Sequence, residues 1–283
     1  MNLAGYADLL RVLKENLDAV HAPSSFLAPL NVLPRHAAGK WVVEEVAGFR
    51  AFVSDHDARL IPPALQTDYY RAIVEWAQTH RVLFVPAYMV EPLRARNFKV
   101  TKIQTEYLME PARLSELPGG RLRNRRYDVS RARAVTRACL VDPVRHRLEL
   151  KHLTNCWYGE AKDRLWRPSE KTQIEWLIDN WRAVEEVEPT AACAAVFNRH
   201  TQEMLSFELG CMLTKCIAVS FTQRSDRSKT HGVFSGTNLL CSITLADHLG
   251  TTLNDGPAEH KELADRKLLL CSGTIDFYAV ERK

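Results

Sequence analysis

The chain has 283 residues, 46% hydrophobic and 25% charged, with a formal net charge of +4. That length is ample for two ordinary domains, and the composition excludes a fibrous, collagen-like or intrinsically disordered protein. No apolar run reaches membrane-spanning length and the amphipathic N-terminus does not read as a signal peptide, so a cytoplasmic protein with no membrane partner is expected.

Tyr6–His21 reads as a helix with Leu9, Leu10, Leu13 and Leu17 on one face. Pro23, Pro29 and Pro34 predict irregular chain after it. Lys40–Ser54 reads as two strands turning at Gly48, and Pro62-Pro63 closes that unit. Gln66–His80 is a helix with Tyr69, Ile73 and Trp76 inward, followed by a buried strand at Val82–Val85, a short helix through Met89–Asn97 and a strand at Lys99–Met109.

The next stretch, Gly119–Arg137, carries Arg121, Arg123, Arg125, Arg126, Arg131, Arg133 and Arg137 with no lysine and one carboxylate, Asp128. Gly119 and Gly120 break what precedes, and good helix formers follow. So many guanidiniums on a few turns repel one another unless an anion sits opposite, and arginine forms forked bonds to phosphate oxygens. The stretch therefore reads as an anion or RNA site, or else as a solvated face paired with carboxylates elsewhere.

Leu148–Leu153 reads as a strand, and Asn155–Arg167 and Glu170–Glu186 as helices. Trp157, Trp166, Trp176 and Trp181 suit the core better than base-stacking platforms. Three strands, Ala191–Asn198, Glu203–Leu213 and Lys215–Thr222, are joined by hairpin turns. A basic loop, Gln223–His231, leads to a helix near Thr237–His248, a strand at Thr251–Leu253, a helix end at LADRKLL and a last strand at Ile275–Val280. The seven cysteines are scattered, odd in number and free of any Cys-x-x-Cys pair, which predicts buried reduced thiols and no metal.

This order of elements, run through twice, resembles the N-acetyltransferase-like (GNAT) fold. From Phe84 onward the chain is more closely similar to the tandem GNAT-like catalytic part of lysylphosphatidylglycerol synthases and their soluble relatives. Three stretches carry the likeness: Gly120-Arg121-Leu122-Arg123-Asn124-Arg125-Arg126-Tyr127, Leu205-Ser206-Phe207-Glu208-Leu209-Gly210, and Asn254-Asp255-Gly256 followed by Leu263, Arg266 and Lys267. A glutamate common in that family after the third strand is Gln223 here, and a membrane domain ahead of the catalytic part is not expected. The resemblance implies an α/β (α+β) protein with mixed central sheets flanked by helices, as a tandem GNAT fold with an N-terminal unit over 1–118 and a catalytic unit over 119–283.

It also implies an aminoacyltransferase that takes aminoacyl-tRNA as co-substrate, with no other cofactor. The group would pass to an amine or hydroxyl of a soluble small molecule or peptide, as in natural-product tailoring. The donor ester is already activated, so the protein must align the reactants, accept a proton and stabilise the oxyanion. Asp255 is the candidate to hold the donor's ammonium or take the acceptor's proton, with Asn254 beside it; Asn254-Asp255-Gly256 is equally a plain turn. Lys267 would meet a phosphate or the oxyanion, or else lie exposed on its helix. Glu208, with Gln223 and Gly256, would contact substrate if it points into a polar cavity rather than to solvent. Arg121, Arg123, Arg125, Arg126, Arg131 and Arg224 would hold RNA phosphates, with Arg227 and Lys229 extending that surface. His231 and His248 are candidate bases or structural histidines.

Two rival readings stay open. An acyl-CoA-dependent N-acyltransferase using acetyl-CoA needs a cradle of backbone N–H groups, and Gln223–Thr237 has Gly232 and Gly236 at the wrong spacing for it. A non-catalytic RNA- or anion-binding module needs only the arginines.

Overall fold

A computed structural model describes residues 4–18, 20, 23–160, 168–226, 228–229, 234–258 and 261–283. Trp166, Arg227, His231 and Gly232 of the readings above lie outside the described residues.

The first half begins with α1 (Ala4–Leu17) and α2 (Pro29–Ala37), followed by strands β1 (Val42–Val46), β2 (Phe49–Ser54) and β3 (Asp57–Leu60). It continues through α3 (Gln66–Trp76), β4 (Arg81–Pro86), α4 (Val90–Ala95), β5 (Phe98–Met109) and α5 (Pro111–Glu116). The second half opens with α6 (Arg123–Val135), β6 (Thr136–Leu140), α7 (Arg147–Glu160), α8 (Pro168–Asp179) and α9 (Trp181–Val187). Strands β7 (Ala192–Asn198), β8 (Met204–Met212) and β9 (Ile217–Ser225) follow, then α10 (Phe234–Leu249), β10 (Thr252–Pro257), α11 (Lys261–Leu270) and β11 (Gly273–Arg282).

All these strands form one sheet in the order β1-β2-β3-β4-β11-β5-β10-β9-β8-β7-β6. Two joints are parallel, β3 with β4 and β9 with β10, each bridged by a helix, α3 or α10. The run β3-β4-β11 mirrors β9-β10-β5, so each half places its last strand beside the other's (β11 lies between β4 and β5, and β5 between β11 and β10). The sheet therefore runs on across the division expected at 118/119.

Several local readings are corrected. Leu148–Leu153 is helix, not strand: Leu150 and Leu153 are buried while Leu148 is 79% exposed, a three-residue period rather than alternation. Residues 29–37 are helical, not irregular: Pro29 sits at the helix start, where no N–H is needed, and the helix runs on through Pro34 in its interior. Glu170–Glu186 is two helices parted at Asn180. Thr136 and Arg137, the end of the arginine stretch, belong instead to the edge strand β6, which pairs with β7, and a third strand, β3, follows the expected hairpin.

Three buried clusters hold the layers together. One joins α1, α2, α8 and α9 to one face of β7–β9, with Leu13, Leu33, Ile174, Trp181 and Phe207 inside. A second fills the first half around Trp76, Ile73 and Phe98. The third packs α6 and α10 on the opposite face of the second half, around Val129, Ala132, Leu240 and Leu245. Trp181 is core as expected, Trp176 packs at its edge, and none of the seven cysteines is in a disulfide.

The α6–α10 contact depends on Gly236: a Cβ there would lie 2.3 Å from the backbone oxygen of Asp128 and 2.8 Å from Ala132 Cβ. Backbone oxygen cannot yield as a flexible side chain can. We expect Gly236→Ala to destabilise the protein by about 1–3 kcal/mol in urea unfolding. An unchanged midpoint would contradict this contact.

Candidate active site

Strands β9 and β10 are hydrogen-bonded only at their starts, Ile217–Val219 against Thr252–Asn254. Beyond those pairs β9 runs on to Ser225 and β10 to Pro257, and the two part. In an open sheet, a gap beyond the carboxyl ends of parallel strands is where ligands bind. Helix α10 returns from the far end of β9, so its first turn lies at the same end of the sheet as the gap.

The end of β10 is fixed from two sides. On one side Asn254, 0% exposed, donates through Nδ2 to Glu106 Oε2 at 2.6 Å and accepts from the Gly256 N–H at 2.9 Å. Glu106, also fully buried, accepts in addition from Ser24 Oγ (2.6 Å), Ser25 N (2.9 Å) and Gln104 Nε2 (2.6 Å). Burial pushes the Glu106 carboxyl above its ordinary range, and the bonds from Ser24, Ser25 and Asn254 pull it part of the way back. On the other side Lys267, 8% exposed, donates from Nζ to the carbonyls of Asp255 and Pro257 (3.1 Å to the latter) and pairs with Asp255 Oδ2 at 3.0 Å. Between them β10 shifts register against β5, and Gly256 takes a φ of +63°, which favours glycine. Asn254-Asp255-Gly256 is thus a bulge inside a strand, not a free turn, and Lys267 is buried in it.

Glu208 forms the floor beside this bulge. It is fully buried, and its Oε2 accepts from Gln223 Nε2 at 2.6 Å and Ser242 Oγ at 2.8 Å. Its Oε1 has no partner of good geometry, although the Ser220 hydroxyl faces the carboxylate. Ser220, Gln223, Ser242 and Asp255 around it are each partly exposed. Burial first, and then the nearby Asp255 charge, push the Glu208 carboxyl up to about 7 from its ordinary value of 4.5. A buried carboxylate with an open lone pair and half-exposed polar walls can bind an ammonium group or accept a proton near neutral pH.

The arginines divide into two groups. Arg121, Arg123 and Arg131 are exposed and make no ion pair among the described residues; Arg131 lies over the Tyr127 ring at 5.6 Å. Arg125 instead bonds Ser235 in the first turn of α10 and, at 3.4 Å, Asp128. Arg126 donates to the carbonyls of Leu117 and Gly119, closing the end of α5. Arg224 is 6% exposed and turned inward, with Glu170 Oε1 at 2.8 Å, the Gln223 carbonyl at 2.8 Å and the Trp157 ring 4.0 Å from its guanidinium carbon. Lys229 reaches Glu203 Oε1 at 3.2 Å, and His248 is exposed in the last turn of α10.

The structure thus brings Glu208, Gln223, Asp255, Lys267 and Gly256 together at the parted strands, sets the α6 arginines beside the first turn of α10, and keeps Arg224 apart from both. Sequence reading missed Glu106, Ser24, Ser25 and Ser242. A carboxylate in KVTKIQTEYLM gives no sign that it meets residues 82 and 148 positions away.

No family model and no curated protein matches the chain. Solved structures do. A conserved protein of unknown function from Bacteroides thetaiotaomicron VPI-5482 superposes with a TM-score of 0.78 at 13% identity, over 98% of this chain and 97% of its own. The C-terminal (DUF2156) domain of a putative lysylphosphatidylglycerol synthetase from Agrobacterium fabrum gives 0.63 at 13% identity, over 96% and 92%. FemX gives 0.60 at 12% identity, over 93% and 94%. The chain shares their fold. It is the tandem GNAT-like arrangement that the order of elements led us to expect. No helix among the described residues is long and apolar enough to cross a membrane.

The raised Glu208 carboxyl has a pH signature. Between about 4.5 and about 7 the unfolded chain releases a proton that the native chain keeps, so native stability falls as pH rises through that window. Glu208→Gln removes this dependence. Across that window the wild type should lose about 3 kcal/mol relative to the variant, read from paired urea titrations. Parallel profiles would contradict the placement of a buried ionisable group there.

Proposed function

We propose that this chain is an aminoacyltransferase, moving an aminoacyl group from aminoacyl-tRNA to the amine of a soluble small-molecule or peptide acceptor. The observation that carries the reading is a juxtaposition. Exposed arginines with no ion pair among the described residues stand on α6 (Arg123 and Arg131) and in the turn just before it (Arg121); α6 docks against the first turn of α10, at the end of the sheet where β9 and β10 part over a buried carboxylate. The folds of the lysylphosphatidylglycerol synthetase domain and FemX support a transferase of this kind.

The acceptor amine attacks the ester carbonyl of the donor. A C–N bond forms, the C–O bond to the terminal ribose breaks, and the ribose oxygen leaves as a hydroxyl. The amine's proton goes to the carboxylate pair of Glu208 and Asp255 and from there to the departing ribose oxygen; burial, and then the Asp255 charge, keep the Glu208 carboxyl titrating near neutral pH. Asn254 and Lys267 act one step back: they hold the β10 bulge, so that Asp255 and the backbone at Gly256 face the gap. The α6 arginines bind the RNA phosphates and leave the reactive end over the gap.

Two experiments test this reading. With labelled aminoacyl-tRNA and an amine acceptor mixture, product should form and should vanish on RNase treatment; product from acetyl-CoA that resists RNase would replace aminoacyl transfer with acyl-CoA chemistry. RNA binding measured against salt should lose about 2 from its log–log slope when Arg121, Arg123 and Arg131 are all changed to alanine. Arg224→Ala should leave that slope unchanged while lowering stability. A slope indifferent to the triple change would remove α6 as the docking surface.

A further inference from the structure

A second cluster lies away from Glu208 and has no part in the transfer chemistry. His152 and Cys156 are four residues apart on α7 and therefore share one helix face. His152 Nε2 stands 3.4 Å from Cys156 Sγ. Asp226, directly after β9 and only 3% exposed, completes the group: one nitrogen, one sulfur and one oxygen, all within 4.8 Å of one another.

Zinc bonds of about 2.0–2.3 Å set the ligand atoms of a tetrahedral site about 3.3–3.8 Å apart. The His152–Cys156 pair already has that spacing, and the widest gap closes with a shift of about 1 Å. The donor set has a chemical preference. A thiolate and an imidazole beside one carboxylate suit a borderline-soft ion such as zinc, whereas magnesium and calcium want oxygen alone. The carboxylate is also oriented from behind. Asp226 Oδ1 accepts from the backbone N–H of Ser228 (3.0 Å) and of Lys229 (3.3 Å) and from Ser228 Oγ (2.5 Å), the kind of outer support that fixes a metal-binding carboxylate. His152 is exposed and Cys156 half-buried, so an ion can enter from solvent and a water can take the fourth position.

We propose that His152, Cys156 and Asp226 bind one zinc-class divalent ion, which ties α7 to the chain leaving β9. The next residue on α7, Trp157, stacks on Arg224 of β9, so the ion would reinforce a contact that already joins these two elements. The proposal is independent of the aminoacyl-transfer reading.

Cobalt(II) is the probe, added to the tag-free, metal-stripped, full-length protein. One equivalent should bind with a thiolate-to-cobalt charge-transfer band. That band should disappear in Cys156→Ser and in His152→Gln, an exposed position where folding is not at stake. It should persist in Cys216→Ser, which removes an exposed thiol elsewhere. Asp226→Asn should weaken binding at least about tenfold. Zinc should also slow alkylation of Cys156, followed by peptide mass spectrometry. Absence of the band, or an equal band in Cys156→Ser, overturns the proposal. So does alkylation of Cys156 at the same rate with and without zinc, which would leave the pair as an ordinary thiol–imidazole contact.

Discussion

Glu106 sits where the two halves of the sheet meet, and the parting of β9 and β10 depends on it. A carboxylate with no exposure to water costs several kcal/mol unless its oxygens are met by donors. Here four donors converge: Ser24, Ser25 and Gln104 from the first half and Asn254 from the second. Each such bond to a charged acceptor contributes about 1.5–3 kcal/mol, enough together to offset the burial. The network has a geometric consequence. It holds Asn254 in place at the last residue where β10 still pairs with β9, so the bulge and the departure of β10 follow from it. Lys267 then locks the bulge from the opposite side, with its ammonium on the backbone oxygens and on Asp255.

This arrangement separates the groups that hold the two strands apart from those left for chemistry. Asn254, Glu106, Lys267 and Arg224 are committed to internal partners. Glu208 keeps one carboxylate oxygen without a partner of good geometry, Asp255 remains part-exposed, and Arg121, Arg123 and Arg131 face solvent without counter-charges among the described residues. Such a division is what a transferase with a preactivated donor requires, because rigid placement and a proton acceptor do most of the work.

Much of the architecture was legible because long, strongly patterned segments announce themselves. Leu10, Leu13 and Leu17 marked α1, and the apolar run of residues 191–222 marked β7–β9. What failed was local ambiguity. RLELKHL alternates on paper, yet its buried leucines are three apart. Residues 136–140 follow a helix without a proline or glycine to announce the change. The site was half legible for a related reason. Glu208 could be singled out because a carboxylate among Phe207 and Leu209 must be either solvated or held in a polar cavity, and the structure buries it. Arg224 could not be told from the α6 arginines, since what distinguishes it is Glu170 and Trp157, more than fifty positions away in the chain. The opposed pair Glu208 and Gln223 shows the same limit: the glutamine stands where the resemblance led us to expect a glutamate, while its neighbour across the strand supplies the carboxylate.

The most direct measurement is a co-crystal structure with a hydrolysis-resistant mimic of the charged end of tRNA, an aminoacyl group joined to the terminal adenosine through an amide. The account predicts the aminoacyl group between β9 and β10, its ammonium within hydrogen-bond reach of Glu208 or Asp255, and the phosphate side of the nucleotide turned toward Arg121 and Arg123. A mimic seated elsewhere, with this gap closed by side chains, would contradict it.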